Sequence, residues 1–311
     1  MNKNYIKLVT TGRYVPEKVM TNDDFAAFLD TNDEWITTRT GIKRRHVAAD
    51  DESAIDLAYK AALNAIDNAK YDVNKIDLIV VATITNPMKS PSIANLVQAK
   101  LGLNEHHVMT FDINAACSGF VYALEIASSM IGSGNYKSAL VIGAEEMTSI
   151  LDYKDRGTCI LFGDGAGAAI LEPTDDPNYQ VHFYNGSRGD DTGILWIDPL
   201  VKMDGREVYK FATDIMPKAI DQVLKKANLT LEDIDLIIPH QANIRIIQSV
   251  AKDMNLPIER FLVNIDEYGN TSSASIPILL DEFKQKNKAP KRALMIGFGG
   301  GFTWGAAILM V

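Results

Sequence analysis

Short apolar segments rich in β-branched residues alternate along the chain with longer segments of helical periodicity. This alternation is typical of βαβ units and predicts an α/β fold with a largely parallel sheet. Buried strands are predicted at 76–82, 139–143, 234–238 and 293–297. Helices are predicted at 53–68, 92–101, 118–131, 213–227, 244–254 and 275–286.

Three strand-like blocks of the first half recur in the same order in the second half. Segments 76–80, 139–143 and 167–171 resemble segments 234–238, 293–297 and 305–309. The offsets are similar, at roughly 140 to 160 residues, which favours an internal duplication over chance matching. We therefore predict two related halves, 1–172 and 173–311, with functional residues drawn from both.

Composition narrows the classes of function. The 311 residues, 47% of them hydrophobic, are enough for one large domain or two fused halves. A formal net charge of -9 argues against nonspecific binding to nucleic acid or to anionic membrane. The N-terminal apolar stretch is too short for a signal peptide and no later run reaches membrane-spanning length, so a cytoplasmic protein is expected.

The two cysteines fit neither a disulfide framework nor a CxxC metal site, and each is considered singly. Cys117 lies at the predicted start of a helix, where the amide dipoles stabilise a thiolate and lower the thiol pKa. The alternative is a buried structural cysteine. Cys159 lies in a strand-like apolar run, so we expect it in the core.

Two polar residues follow elements of the second half. His240 comes directly after a predicted strand, at the carboxyl end where open α/β sheets bind ligands. Its imidazole is suited to donating a hydrogen bond or exchanging a proton, although a helix cap or a satisfied core histidine is an equal alternative. Asn270 lies in a segment whose plain interpretation is a turn followed by a helix cap.

Two glycine clusters, at 163–167 and 297–301, lack the helix and acidic residue of a dinucleotide site. They suit tight turns and backbone amides held against a ligand, as an oxyanion hole requires.

Seven motifs in order along the chain resemble the β-ketoacyl-acyl-carrier-protein synthase III family, the initiating condensing enzymes of bacterial fatty acid synthesis. They lie at 33–42, 116–119, 155–158, 162–167, 240–243, 269–272 and 298–305. The resemblance implies the thiolase fold, with two similar halves in five αβαβα layers, and a homodimer. The first half would carry the nucleophilic cysteine, and the second the histidine and asparagine.

The resemblance also implies roles. Cys117 takes an acyl group from acyl-CoA, with the amides of Cys117 and Gly300 as oxyanion hole. His240 and Asn270 stabilise the enolate formed when malonyl-acyl carrier protein loses carbon dioxide. The carbanion then attacks the acyl-cysteine and gives 3-oxoacyl carrier protein. No metal or redox cofactor is implied, and the expected partners are acyl-CoA and acyl carrier protein.

The resemblance also implies binding residues, some of them outside those motifs. The CoA nucleotide would contact Thr31, Trp35, Arg39, Arg156 and Asn243. The acidic carrier protein would contact Lys210, Arg245 and Lys252. The acyl pocket would be lined by Ser90, Phe162, Tyr209 and Phe298. Without the resemblance, Trp35 and Arg39 suit a solvated helix face. Ser90 stands where acetyl-preferring members often have a bulky aromatic residue, which suggests a longer or branched primer.

The motifs also bear on four alternative assignments. A thiolase would carry a second cysteine where this chain has Phe298, and an elongating synthase a histidine where it has Asn270, so both are disfavoured. A related condensing enzyme of secondary metabolism would keep the same three residues. A non-catalytic acyl-CoA or carrier-protein binding homologue would usually lose the nucleophile, and Cys117 is present.

Overall fold

The computed structural model describes residues 5–287 and 289–311, so the first four residues of the N-terminal apolar stretch lie outside it. The strands are β1 Ile6–Tyr14, β2 Val19–Thr21, β3 Arg44–His46, β4 Leu78–Ala82, β5 Met109–Ile113, β6 Ala139–Glu145, β7 Gly165–Pro173, β8 His182–Ser187, β9 Leu195–Ile197, β10 Val201–Met203, β11 Leu236–Pro239, β12 Arg292–Gly299 and β13 Thr303–Met310. The helices are α1 Asn22–Ala26, α2 Asp33–Thr40, α3 Ala54–Ala69, α4 Ile93–Lys100, α5 Gly119–Gly132, α6 Arg156–Cys159, α7 Gly205–Ala227, α8 Ile244–Asp253, α9 Ile265–Tyr268 and α10 Ser275–Lys286.

Two larger sheets form the frame of the protein. The first has the order β1-β7-β6-β4-β5 and the second the order β11-β12-β13-β8. Both are mixed, because β4 runs parallel to β5 and β6, and β11 parallel to β12, while the other pairs are antiparallel. The predicted largely parallel sheet is therefore wrong. A tight glycine turn joins β12 directly to β13, and so short a connection permits only antiparallel pairing.

Helices fill the space between the sheets and cover both outer faces. The central core joins Leu124 of α5 and Leu280 of α10 to Val141 of the first sheet and Met295 of the second. Helices α3 and α4 pack on the outer face of the first sheet, and α7 and α8 on that of the second. The result is the five-layer αβαβα arrangement that the resemblance implies.

Matching strands of the two sheets occupy matching positions. The order β1-β7-β6-β4 in the first sheet corresponds to β8-β13-β12-β11 in the second. A short 3-10 turn precedes each central helix, Ala116–Ser118 before α5 and Ser272–Ala274 before α10. The division at residues 172 and 173 remains a prediction.

The predicted strands and helices fall within two residues of the observed ones, with one exception. Helix α7 begins at Gly205 rather than at residue 213, because the Asp204 carboxylate accepts hydrogen bonds from the amides of Arg206 and Glu207 and caps the helix. Cys159 lies in the short helix α6 and not in a strand, since Asp155 caps that turn, but it is buried as expected.

Candidate active site

A cavity of about 770 Å³ is lined by Cys117, His240 and Asn270. Cys117 lies in the turn before α5, His240 directly after β11, and Asn270 shortly before α10. The two turns abut the central helices, and β11 ends at the same edge of the frame, so residues far apart in sequence share one enclosed space. The prediction that both halves supply the site's residues agrees with this placement.

The turn that carries Cys117 is held from the second half of the chain. The Thr303 hydroxyl donates to the Ala115 carbonyl at 2.9 Å and lies 2.7 Å from the Ser118 hydroxyl. Gly299 packs so closely on this turn that an added Cβ would stand 2.6 Å from the Cys117 nitrogen. The position of the sulfur therefore depends on the loop between β12 and β13.

The Cys117 thiol has a raised pKa. Burial is the largest cause, the Glu145 carboxylate also raises the pKa, a hydrogen bond with the Ser272 side chain lowers it, and together they bring it to about 12. The sequence-based expectation of a lowered pKa is therefore wrong, because desolvation of the thiolate outweighs the favourable helix start.

His240 is neutral and oriented. Only 2% of its surface is exposed, and burial lowers its pKa to about 3. Its Nδ1 lies 2.6 Å from the Ser275 hydroxyl, which also accepts the Gln241 amide at 3.4 Å. Among the described residues, Nδ1 is the one acceptor bonded to the Ser275 hydroxyl, which favours a proton donated to Nδ1 and an imidazole proton kept on Nε2. The imidazole is thus a neutral hydrogen-bond donor at Nε2.

Asn270 has its carboxamide fixed by the turn that it begins. Its Oδ1 accepts the Ser272 amide at 2.8 Å, while its own amide donates to the Leu161 carbonyl at 2.8 Å and its carbonyl accepts the Gly163 amide at 3.1 Å. The turn predicted from sequence is present. Because the oxygen is engaged, the Nδ2 group is the part of the side chain left to donate to a ligand.

The cavity entrance is basic despite the acidic chain. Arg39, Arg156, Arg206 and Arg245 line the cavity, and its described lining contains neither aspartate nor glutamate. Arg206 was missed from the sequence because the start of α7 was placed too late. The signal was there, as an aspartate cap two residues before it.

Trp35 belongs to α2 and lines the cavity, with two guanidinium groups on its ring. The Cζ of Arg39 is 4.3 Å and that of Arg156 4.8 Å from the ring centroid. An adenine between indole and guanidinium needs about 7 Å, twice a stacking distance. Arg156 also donates to the Asp30 carbonyl, so it must leave that position before a base can be sandwiched there.

Most predicted binding residues reach the cavity. Those that line it are Trp35, Arg39, Arg156, Asn243, Gly300, Phe162, Tyr209, Phe298 and Arg245. Thr31, Ser90, Lys210 and Lys252 do not. Ser90 is exposed between β4 and α4, and the Thr31 hydroxyl is buried without a hydrogen-bond partner among the described residues. Ser90 therefore gives no support for a longer primer in this cavity.

The basic residues predicted to bind the carrier protein differ in whether an acidic side chain already pairs with them. Lys210 pairs with Glu207 at 2.6 Å, whereas Arg245 and Lys252 are exposed on α8. Among the described residues, no helix has the length and apolarity to cross a bilayer, and no cluster of histidine, cysteine and carboxylates is arranged to hold a metal ion.

A cysteine at a central helix, a neutral histidine and an oriented asparagine, within this five-layer frame, define a condensing enzyme of the thiolase fold. Family models described as 3-oxoacyl-[acyl-carrier-protein] synthase III match residues 111–189 and, for the C-terminal part, 224–311. The chain belongs to that family, as its similarity to a curated member confirms. That relative, beta-ketoacyl-[acyl-carrier-protein] synthase III of Acholeplasma laidlawii, is 73% identical over 98% of both chains.

Solved structures agree. The chain resembles 3-oxoacyl-[acyl-carrier-protein] synthase III of Aquifex aeolicus at 45% identity and a TM-score of 0.94, covering 98% of this chain and 100% of the other. It also resembles the priming beta-ketosynthase of the R1128 polyketide pathway at 34% identity and a TM-score of 0.92, covering 99% and 97%. The predicted family, fold and enzyme class, an acyl-transferring condensing enzyme of fatty acid biosynthesis, are confirmed.

Proposed function

We propose that Cys117 accepts an acyl group from acyl-CoA and passes it to the carbanion of malonyl-acyl carrier protein, which is the initiating condensation of fatty acid synthesis. The observation that carries this assignment is the single cavity shared by the sulfur and by two oriented neutral donors, His240 and Asn270. The family relationship supplies the substrates, acyl-CoA and acyl carrier protein.

The first half-reaction is acyl transfer. The Cys117 thiol loses its proton as its sulfur attacks the acyl carbonyl carbon, and the amides of Cys117 and Gly300 stabilise the oxyanion of the tetrahedral intermediate. Both residues line the cavity, and Gly299 must lack a side chain for the loop to approach the Cys117 amide. The carbon–sulfur bond to CoA then breaks, and the acyl group stays on Cys117.

The second half-reaction needs an electron sink. Loss of carbon dioxide from malonyl carrier protein places negative charge on the thioester oxygen, which Nε2 of His240 and Nδ2 of Asn270 stabilise by hydrogen bonds. Neutral donors in a buried site hold this charge without first losing a solvation shell of their own. The carbanion attacks the acyl-cysteine and releases 3-oxoacyl carrier protein; no metal or redox cofactor enters this scheme.

The basic entrance supports the binding roles. Arg39 and Arg206 are exposed at the cavity, where they suit the phosphates of CoA and of the carrier protein's prosthetic arm. Arg245 and Lys252 share the exposed face of α8 and suit the acidic carrier protein.

A cytoplasmic homodimer is also proposed. Strand β5 lies at the edge of the first sheet, and Met109 on it is 42% exposed, so a second copy can continue the sheet from this edge. Sedimentation of the native chain at micromolar concentration tests this part, and a monomer would contradict it.

Intact-mass spectrometry after mixing with acyl-CoA tests the enzyme assignment. We expect one acyl adduct, its loss in Cys117→Ala, and its retention in Cys159→Ala, the matched control whose thiol is buried away from the cavity. Binding of acyl-CoA without an adduct would favour the non-catalytic homologue instead.

The secondary-metabolism alternative shares this geometry, as the resemblance to the R1128 enzyme illustrates. The 73% identical relative favours fatty acid synthesis. A panel of acyl-CoA primers with malonyl carrier protein distinguishes the two and determines which primer this cavity prefers.

A further inference from the structure

A buried carboxylate lies behind the nucleophile and has no role in the mechanism above. Glu145 ends β6 and is 0% exposed. Its Oε2 accepts hydrogen bonds from the Ile84 amide at 3.1 Å and from the Thr85 hydroxyl at 2.8 Å. Its Oε1 accepts from the hydroxyls of Ser272 at 3.1 Å and Ser273 at 2.7 Å. No ion pair reaches it from residues 5–287 or 289–311.

A charged group in the protein interior is usually neutralised by a partner, so an unpaired buried carboxylate requires an explanation. Its surroundings are hydroxyls and amides, which can satisfy either the ionised or the protonated acid. Opposite Glu145 in the sheet, β7 presents Gly165, which has no side chain. The neighbouring Glu146 faces Asp164 and Asp56 instead.

Ser272 connects this carboxylate to the nucleophile. Its hydroxyl donates to Glu145 on one side. On the other side its turn packs against the turn of Cys117, and its side chain lowers the pKa of that thiol. Ser272 is fully buried and adopts a φ of 49°, a left-handed conformation that residues other than glycine rarely adopt. An unfavourable backbone conformation that directs a hydroxyl between two titratable groups is typical of functional sites.

We propose that Glu145 is the proton acceptor for the Cys117 thiol, with the Ser272 hydroxyl as the bridge. This inference rests on the proposed role of Cys117 and adds a positioning residue for the proton. The buried pair then carries a single negative charge, located either on the carboxylate or on the sulfur.

The proton balance closes over one cycle. During acyl transfer the S–H bond of Cys117 breaks, its proton passes to Ser272, and the Ser272 proton passes to Oε1 of Glu145. The sulfur forms the new C–S bond, and CoA leaves with its electron pair and takes a proton from solvent. When the carbanion later breaks the acyl–sulfur bond, the sulfur keeps that electron pair and the proton returns from Glu145 through Ser272.

The pH dependence of Cys117 alkylation by iodoacetamide tests this proposal. In the native protein the rate constant should rise only until Glu145 has lost its own proton, and should then stay level, because further thiolate formation merely moves the proton to Glu145. In Glu145→Gln no internal acceptor remains. The rate constant should therefore keep rising roughly tenfold for each pH unit over the range in which the native protein is level.

Glu146→Gln is the matched control and should keep the native profile, since Glu146 faces Asp164 and Asp56. Parallel profiles for native protein and Glu145→Gln would overturn the proposal. If Glu145→Gln does not fold, Glu145→Asp serves instead: a bend displaced along the pH axis supports the proposal, and an unmoved bend overturns it. The acyl-adduct experiment is independent, so its failure would refute the acyl-transfer role without changing this profile.

Discussion

Replacing Gly299 by alanine tests how tightly the glycine loop positions the nucleophile. The added Cβ would stand 2.6 Å from the Cys117 nitrogen and 2.9 Å from the Ala116 Cβ, whereas ordinary contacts begin near 3.4 Å. The obstructing atoms belong to backbone and to a Cβ, so no flexible side chain can move aside. The turn must therefore shift by about 0.8 Å, the difference between 3.4 and 2.6 Å.

A displacement of this size at a nucleophile reduces rate by about a hundredfold, or about 2.7 kcal/mol of activation free energy. Overpacking should also lower the free energy of unfolding by about 1–3 kcal/mol. The acylation rate is measured by quenching the reaction with acyl-CoA at set times and quantifying the adduct by mass spectrometry. The free energy of unfolding is measured by urea unfolding. Gly189→Ala is the control, because nothing lies within 4 Å of its added Cβ. An acylation rate in Gly299→Ala equal to that of the native protein would refute the close packing of the glycine loop against the Cys117 turn.

Three further predictions concern the electron sink and the docking surface. Ser275→Ala should free Nδ1 of His240 to carry the proton and slow decarboxylation of malonyl carrier protein roughly tenfold, with acylation by acyl-CoA unchanged; equal losses in both steps would contradict the tautomer assignment. Since the pKa of His240 is lowered to about 3 from 6.5, the unfolded chain takes up a proton that the folded one refuses. Stability should fall as pH drops from 6.5 towards 3, and urea unfolding of His240→Asn should show a smaller loss across that window. Lys252→Glu should raise the KM for malonyl carrier protein several-fold. Lys225→Glu is the control and should leave the KM unchanged, because Lys225 lies at the C-terminal end of α7 and the cavity at its N-terminal end. Equal effects of the two substitutions would show that α8 is not part of the docking surface.

Local physical chemistry was enough to place most of the elements. The buried strands and the long helices follow from residue periodicity, and their bounds agree because each segment's apolar positions have the spacing of the structure that it forms. The repeated blocks likewise predicted that strands of the two halves would match. The start of α7 was missed because a capping aspartate near 204 carries little weight when the apolar pattern alone is followed.

Cys117, His240 and Asn270 were identifiable as a set only through the family resemblance, since each residue alone suited a structural role. The charge state of the cysteine is a different matter. A helix start is a local feature and predicts a lowered pKa, but the pKa of Cys117 is set mainly by how far the thiol is removed from water. Burial is a property of the packed layers and cannot be obtained from residues near position 117.

The same limit applies to Glu145 and to the stacking of Trp35 with two arginines. The carboxylate at the end of β6 meets Ser272 because the turn before α10 packs against that strand, a contact across more than a hundred residues. Sequence alone determined the elements, the duplication and the residue types that the chemistry requires. Tertiary structure decided which of those groups meet, which lose their water and which proton each one holds, because these properties arise from distance and desolvation between segments that are remote along the chain.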